Sequence, residues 1–95
     1  MTALLIAQLE IEDAEAFAPY REAVPAVIEQ FGGRYLVRGG AVEVMEGEWT
    51  VPRLVVIAFD SLERAHAFYK SPEYQAILPL RLAAAKGSVV IAEGL

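Results

Sequence analysis

The chain contains no cysteine. That absence removes disulfides, thiolate nucleophiles and thiolate metal ligands together, and it leaves the packed core as the only staple, which suits a reducing compartment. Positive charge is also scarce. Eight lysines and arginines stand against thirteen carboxylates, for a net charge of −5. A balance of that sign repels phosphate backbones and anionic lipid, so neither a nucleic acid nor a membrane surface is expected as a partner. There is one imidazole, His66, and no apolar run approaches the length of a membrane span. Residues 1–7 carry no basic flank and are followed by Gln8, Glu10, Glu12 and Asp13, a poor match to a secretory signal. The expected location is the cytoplasm.

What the chain does have is apolar character. Its 95 residues suffice for a single domain, residues 1–95, but not for two independent cores. An apolar fraction of 56% exceeds that of an ordinary globular domain, so either the core is generous or some apolar surface meets another chain.

Residues 4–10 read as a strand, with Asp13 as a helix cap after it. Phe17, Tyr20, Val24, Val27, Ile28 and Phe31 then recur at the three-and-four spacing of one helical face. Pro19 suits a first turn, Pro25 should kink the helix, and Gly32-Gly33 should end it. Residues 34–47 are rich in β-formers and interrupted by Gly39-Gly40, which fits either a bulge in one long strand, the favoured reading, or a tight turn between two short ones. Residues 54–59 form the clearest strand. Ser61 caps a second helix; Ser71-Pro72 ends it and starts another, whose axis Pro79 should shift before residues 80–85 continue it. A last strand over residues 88–93 follows Gly87.

The order strand, helix, strand, strand, helix, strand is the split βαβ arrangement of a ferredoxin-like α+β fold, with four antiparallel strands and the helices on one face. The other face is then open. Yet residues 54–59 are six apolar residues in succession and residues 89–92 are four, where a half-solvated strand would alternate. The simplest cover is the same face of a second copy, a homodimer about a two-fold axis, with Val56 or Ile57 turned to the partner.

Several strings together carry a likeness: Gly32-Gly33-Arg34-Tyr35-Leu36-Val37-Arg38-Gly39-Gly40, Glu46-Gly47 with Trp49, Pro52-Arg53-Leu54-Val55-Val56, Ser71-Pro72-Glu73-Tyr74-Gln75, Leu80-Arg81 and the closing Glu93-Gly94. With them the chain resembles the bacterial family called domain of unknown function thirteen-thirty. The resemblance implies a dimeric α+β barrel, related in fold to small monooxygenases, muconolactone isomerases and haem-handling proteins. It implies no activity.

Arg38, Glu46 and Arg53 are charges on or beside strands that otherwise read as buried, so each needs a partner. One arrangement is an ion pair of Glu46 with Arg53 or Arg38. The other is a fork in which Arg38, with Arg53 or Arg81, holds a ligand carboxylate at the mouth of a cleft between sheet and helices. Tyr20 and Tyr74 flank helix interruptions near that cleft and are candidates to line it, whereas Tyr35 and Tyr69 read as core filling. Glu46, His66 or a tyrosine could serve as acid or base. His66 has Lys70, not a second ligand, at i+4, so no metal site is expected, and haem through His66 is a minor alternative. No nucleophile elbow, phosphate loop or dinucleotide fingerprint surrounds any serine. The expectation is a cofactor-independent protein for a small anionic or carbonyl-bearing molecule, monooxygenase-like or isomerase-like if it is an enzyme. Its rival is a non-catalytic dimeric ligand-binding or interaction module.

Overall fold

The structure is a computed structural model that describes residues 2–50 and 53–95. Its elements are β1 (Ala3–Ile11), α1 (Ala14–Gln30), β2 (Arg34–Arg38), β3 (Arg53–Phe59), α2 (Leu62–Lys70), α3 (Pro72–Ala84) and β4 (Ala85–Glu93). The four strands form one antiparallel sheet in the order β2-β3-β1-β4, so the two strands nearest the chain ends lie side by side. This is the ferredoxin-like βαββαβ arrangement, with its second helix broken in two. None of the described helices is long and apolar enough to cross a membrane.

Each break has a local cause. The Asp13 carboxylate accepts from the Ala16 amide at 3.0 Å and starts α1. At the other end the Gly33 amide donates to the Ile28 carbonyl at 2.9 Å and Gly32 donates to Glu29 at 3.0 Å, a Schellman cap that needs the positive φ of +77° at Gly32. Ser71 serves two helices. Its hydroxyl donates to the Phe68 carbonyl at 2.7 Å, closing α2, and accepts from the Tyr74 amide at 3.1 Å, opening α3. The extended backbone at Ser71 is the conformation that Pro72 imposes on the residue before it.

Pro19 differs from expectation. Helix α1 begins at Ala14, so Pro19 lies beyond the first turn, and α1 runs unbroken past both Pro19 and Pro25. Helix α3 likewise continues through Pro79 to Ala84. A proline inside a helix forfeits a backbone bond, but the burial of Phe17, Tyr20, Val24 and Ile28 along one face of α1 outweighs two such losses. Strand β4 also starts three residues early, at Ala85, because β1 extends to Ile11 and pairs with it. Strand β2 stops at Arg38, and residues 40–50 hold no helix or strand. Gly39-Gly40 is thus neither the bulge of a long strand nor a hairpin turn. The register shift sits earlier, between Tyr35 and Val37.

Alternation along β1 divides the sheet. Ala3, Leu5, Ala7 and Leu9 are buried under the helices, with Phe59 and Phe68 as the largest fully buried side chains. Phe68 packs its ring 5.3 Å from that of Phe59 and 4.6 Å from that of Tyr74. On the opposite face Ile6 lies between Val56 and Val90, and Leu4 lies beside Ala92. That face is apolar and uncovered, and Val90 keeps 53% of its surface exposed.

Gly87 stands where β4 passes closest to β1. A Cβ there would lie 1.8 Å from the Gln8 carbonyl oxygen, and its φ of +150° is one that other residues rarely adopt. Gly87→Ala should therefore destabilise the fold by about 2 kcal/mol or more, whereas Gly40→Ala, with nothing within 4 Å, should change stability by less than about 0.5 kcal/mol. Urea midpoints of the two variants check the contrast.

Candidate functional site

Side-chain size along the sheet decides where the interior is hollow. Across the inner face, Ile57, Leu5 and Ile91 form one row and fill their end of the core together with Phe59. The next rows are Val55, Ala7 and Val89, then Arg53, Leu9 and Gly87. Small residues at Ala7 and Gly87 leave that end unfilled. A cleft of about 40 Å3 lies above it, roofed by Phe17, Tyr20 and Val24 of α1 and by Tyr74 and Arg81 of α3. That is room for about three waters or a ligand head of similar size.

Every polar side chain lining the cleft is an arginine or a tyrosine. Arg21, Arg38, Arg53 and Arg81 make up half of the chain's eight basic residues. They grade from rim to interior: Arg21 and Arg38 are exposed, Arg53 is half-buried, and Arg81 is only 5% exposed. Among the described residues the one salt bridge is Lys86 with Glu12, far out on the surface, and no carboxylate lies within 4.0 Å of any cleft arginine. The Nε atoms of Arg53 and Arg81 are buried without a hydrogen-bond partner. An uncompensated guanidinium in such a place is costly, and its donors stay available for an incoming anion.

The arginines are held by specific features. Arg38 stacks its guanidinium 4.7 Å from the centre of the Tyr35 ring. Residues three apart in a regular strand face opposite sides; the register shift between Tyr35 and Val37 brings both Tyr35 and Arg38 to the cleft and leaves Val37 paired beside Val56 on the open face. The guanidinium of Arg53 rests against Gly39, where a Cβ would come within 2.5 Å of Nη1. Arg81 sits two turns after Tyr74 on the inner face of α3.

Tyr20 and Tyr74 join their hydroxyls at 2.9 Å and so tie α1 to α3 above the cleft. Burial pushes the Tyr20 hydroxyl well above the ordinary phenol value; the neighbouring Tyr74 adds to this and Arg81 opposes it. Burial also raises Tyr35, against the pull of Arg38 and Arg53. Tyr20 and Tyr35 therefore keep their protons throughout the neutral range and act as donors.

Of the residues singled out from the sequence, the structure brings Tyr20, Arg38, Arg53, Tyr74 and Arg81 together around one cleft. Glu46 and His66 are not among its lining residues. Glu46 is exposed in the segment after β2, and the ion pair of Glu46 with Arg53 or Arg38 is not formed. His66 borders another depression with Tyr69, Lys70, Val89 and Ile91. Among the described residues no cluster of three His, Cys, Asp or Glu could hold a metal ion. Sequence reasoning passed over Arg21 and gave Tyr35 to the core. Arg21 follows Tyr20 on the flank of the buried face of α1, a signal that helical periodicity does carry.

Because a folded state that holds Tyr20 and Tyr35 protonated binds protons that the unfolded chain releases, stability should be full below about pH 10 and fall as the pH climbs above it. Tyr20→Phe should flatten part of that fall. Urea midpoints between about pH 8 and about pH 11 give the slope.

Solved structures share the fold at low sequence identity. RPA0582, a protein of unknown function from Rhodopseudomonas palustris, superposes with a TM-score of 0.80 at 17% identity, over 99% of this chain and 82% of that one. A dimeric ferredoxin-like protein of unknown function from Bacteroides fragilis gives 0.64 at 16% identity over 98% and 96%. A candidate antibiotic biosynthesis monooxygenase from Nitrosomonas europaea gives 0.58 at 15% identity over 99% and 90%. No curated protein matches the chain. The profile of a family described as a domain of unknown function matches residues 2–95, nearly the whole sequence, and the chain belongs to that family, DUF1330.

Proposed function

We propose that this protein binds a small anion with an apolar body in the cleft between sheet and helices, and does so as a homodimer closed over the open face of the sheet. The observation that carries the ligand reading is the set of four arginines with no carboxylate among them, on a chain whose net charge is −5. Unneutralised guanidiniums gathered in one cleft repel one another and are costly to desolvate, and an anion bound among them relieves both costs. The remaining walls, Leu9, Phe17, Val24, Val55 and Val89, ask for hydrocarbon beyond the charged group.

Chemistry that needs no cofactor would here be that of the bound anion itself. Arginines stabilise negative charge that spreads onto oxygen, and a protonated tyrosine can supply a proton. With Glu46 and His66 outside the cleft, the acid role falls to Tyr20 or Tyr74. No carboxylate or imidazole lines the cleft to take a proton, which favours binding, or activation of a ligand that is already anionic, over proton abstraction.

The dimer reading rests on the uncovered apolar rows around Ile6, Val56 and Val90, a face that would promote aggregation in a monomer. The Bacteroides fragilis relative is described as dimeric, and two such sheets meeting face to face about a two-fold axis would bury both.

In thermal unfolding, 3-methylbutanoate should raise the midpoint in a concentration-dependent way, and its neutral analogue 3-methylbutanamide should not. If the acid has no effect, the anion reading is wrong. Arg81→Met should make the ligand-free protein more stable by about 1 kcal/mol and abolish the response to the acid, since it removes an unpaired buried charge and the ligand's partner together. Val56→Asp should yield a monomer or an unfolded chain by light scattering at micromolar concentration; a folded dimer would count against the interface. Ile57 faces the core and does not report on it.

A further inference from the structure

We infer that the anion is a 2-oxo acid with a short branched or aromatic side chain, its carboxylate on Arg81 and Arg53 and its oxo oxygen accepting a hydrogen bond from the Tyr20–Tyr74 pair. This rests on the proposal that the cleft binds an anion and narrows it to a substrate class.

The argument is a count of donors. The four guanidiniums only donate. Each of the three phenols on the wall has one O–H; the bond between the Tyr20 and Tyr74 hydroxyls uses one, so one O–H of that pair remains for a ligand whichever way the bond runs, beside that of Tyr35. Among the described residues no side chain on the cleft wall is a dedicated acceptor: it has no Asp, Glu, Asn, Gln, His, Ser or Thr. A ligand that satisfies this wall is rich in acceptors and brings no donor of its own. A simple carboxylic acid meets the arginines and leaves the phenol unanswered. A 2-hydroxy acid adds a donor where only the phenols' own oxygens can receive it. A 2-oxo acid carries three acceptor oxygens on adjacent carbons and no donor.

Placement agrees with the count. Tyr74 and Arg81 stand on the same inner face of α3, and both are almost fully buried, at 3% and 5% exposure. Arg81, whose Nε has no partner, lines the same cleft as the phenol pair, and Arg53, whose Nε is also without a partner, lines it from the sheet. The space of about 40 Å3 takes the charged head and the adjoining carbonyl, and the apolar walls take the hydrocarbon side chain.

Isothermal titration of the full chain with 3-methyl-2-oxobutanoate and with 3-methylbutanoate, which differ by the one oxygen, tests this. The oxo acid should bind at least about tenfold more tightly, the usual cost of leaving a buried donor unanswered. The double variant Tyr20→Phe/Tyr74→Phe should erase that preference and leave the affinity for 3-methylbutanoate within about twofold of the parent's, because either single variant still leaves one O–H free. The parent's own comparison of the two acids covers the case in which the double variant fails to fold. Equal affinity of the parent protein for the two acids would overturn the 2-oxo assignment and leave the anion reading standing. Binding of neither would overturn both. A tenfold preference that survives in the double variant would overturn the assignment of the oxo oxygen to the phenol pair.

Discussion

The whole arrangement hangs on how β1 fills the two sides of the sheet. An inner strand, it turns Leu4 and Ile6 outward before Gln8 and Glu10, and it uses its inward positions unequally, alternating Ala3 and Ala7 with Leu5 and Leu9. Where bulky partners flank it, at Phe59, Ile57 and Ile91, the helices sit down on a solid floor. Where the flanking residues are Val55, Val89 and Gly87, the same helices span a gap. The cleft is thus the part of the core that the strands decline to fill, and the outward residues Leu4 and Ile6 make the other face equally unsuited to water.

Charge then occupies the gap in an unusual way. A buried ion pair would have closed it, and the chain has carboxylates enough to supply one, with thirteen in all. None reaches the cleft arginines. The aromatic groups around them support the cations without neutralising them: Tyr35 lies under Arg38, and the raised Tyr20 hydroxyl stays a dipole and not an anion. Leaving these cations unneutralised costs some stability, and the aromatic core formed by Phe59, Phe68 and Tyr74 beside them offsets that cost.

Much of this was legible in the residues. The element order, the cap residues Asp13, Ser61 and Ser71, and the apolar open face all follow from periodicity and from local hydrogen-bonding chemistry, which act within a few residues. Pro19 misled as a first-turn signal because a helix on a packed core tolerates a lost backbone bond that an isolated helix would not. The convergence of Tyr20, Tyr74 and Arg81 was accessible from spacing along α1 and α3. What spacing could not show was that Glu46 stays in the solvent-exposed segment after β2, since no periodic pattern tied it to the sheet. Nor could it show the shift within β2, which leaves no special residue behind: Leu36 is an ordinary strand former.

That shift bears on how such a site is to be sought in other sequences. The parity of the chain between Tyr35 and Arg38 decides whether the arginine stands over the cleft or on the opposite side of the sheet, among the apolar residues. Part of the cleft's wall is therefore written in a count of residues and not in their identities. A sequence could keep every arginine and tyrosine of the cleft at the same spacing, pair β2 in a regular register, and spell the same motif without having the site.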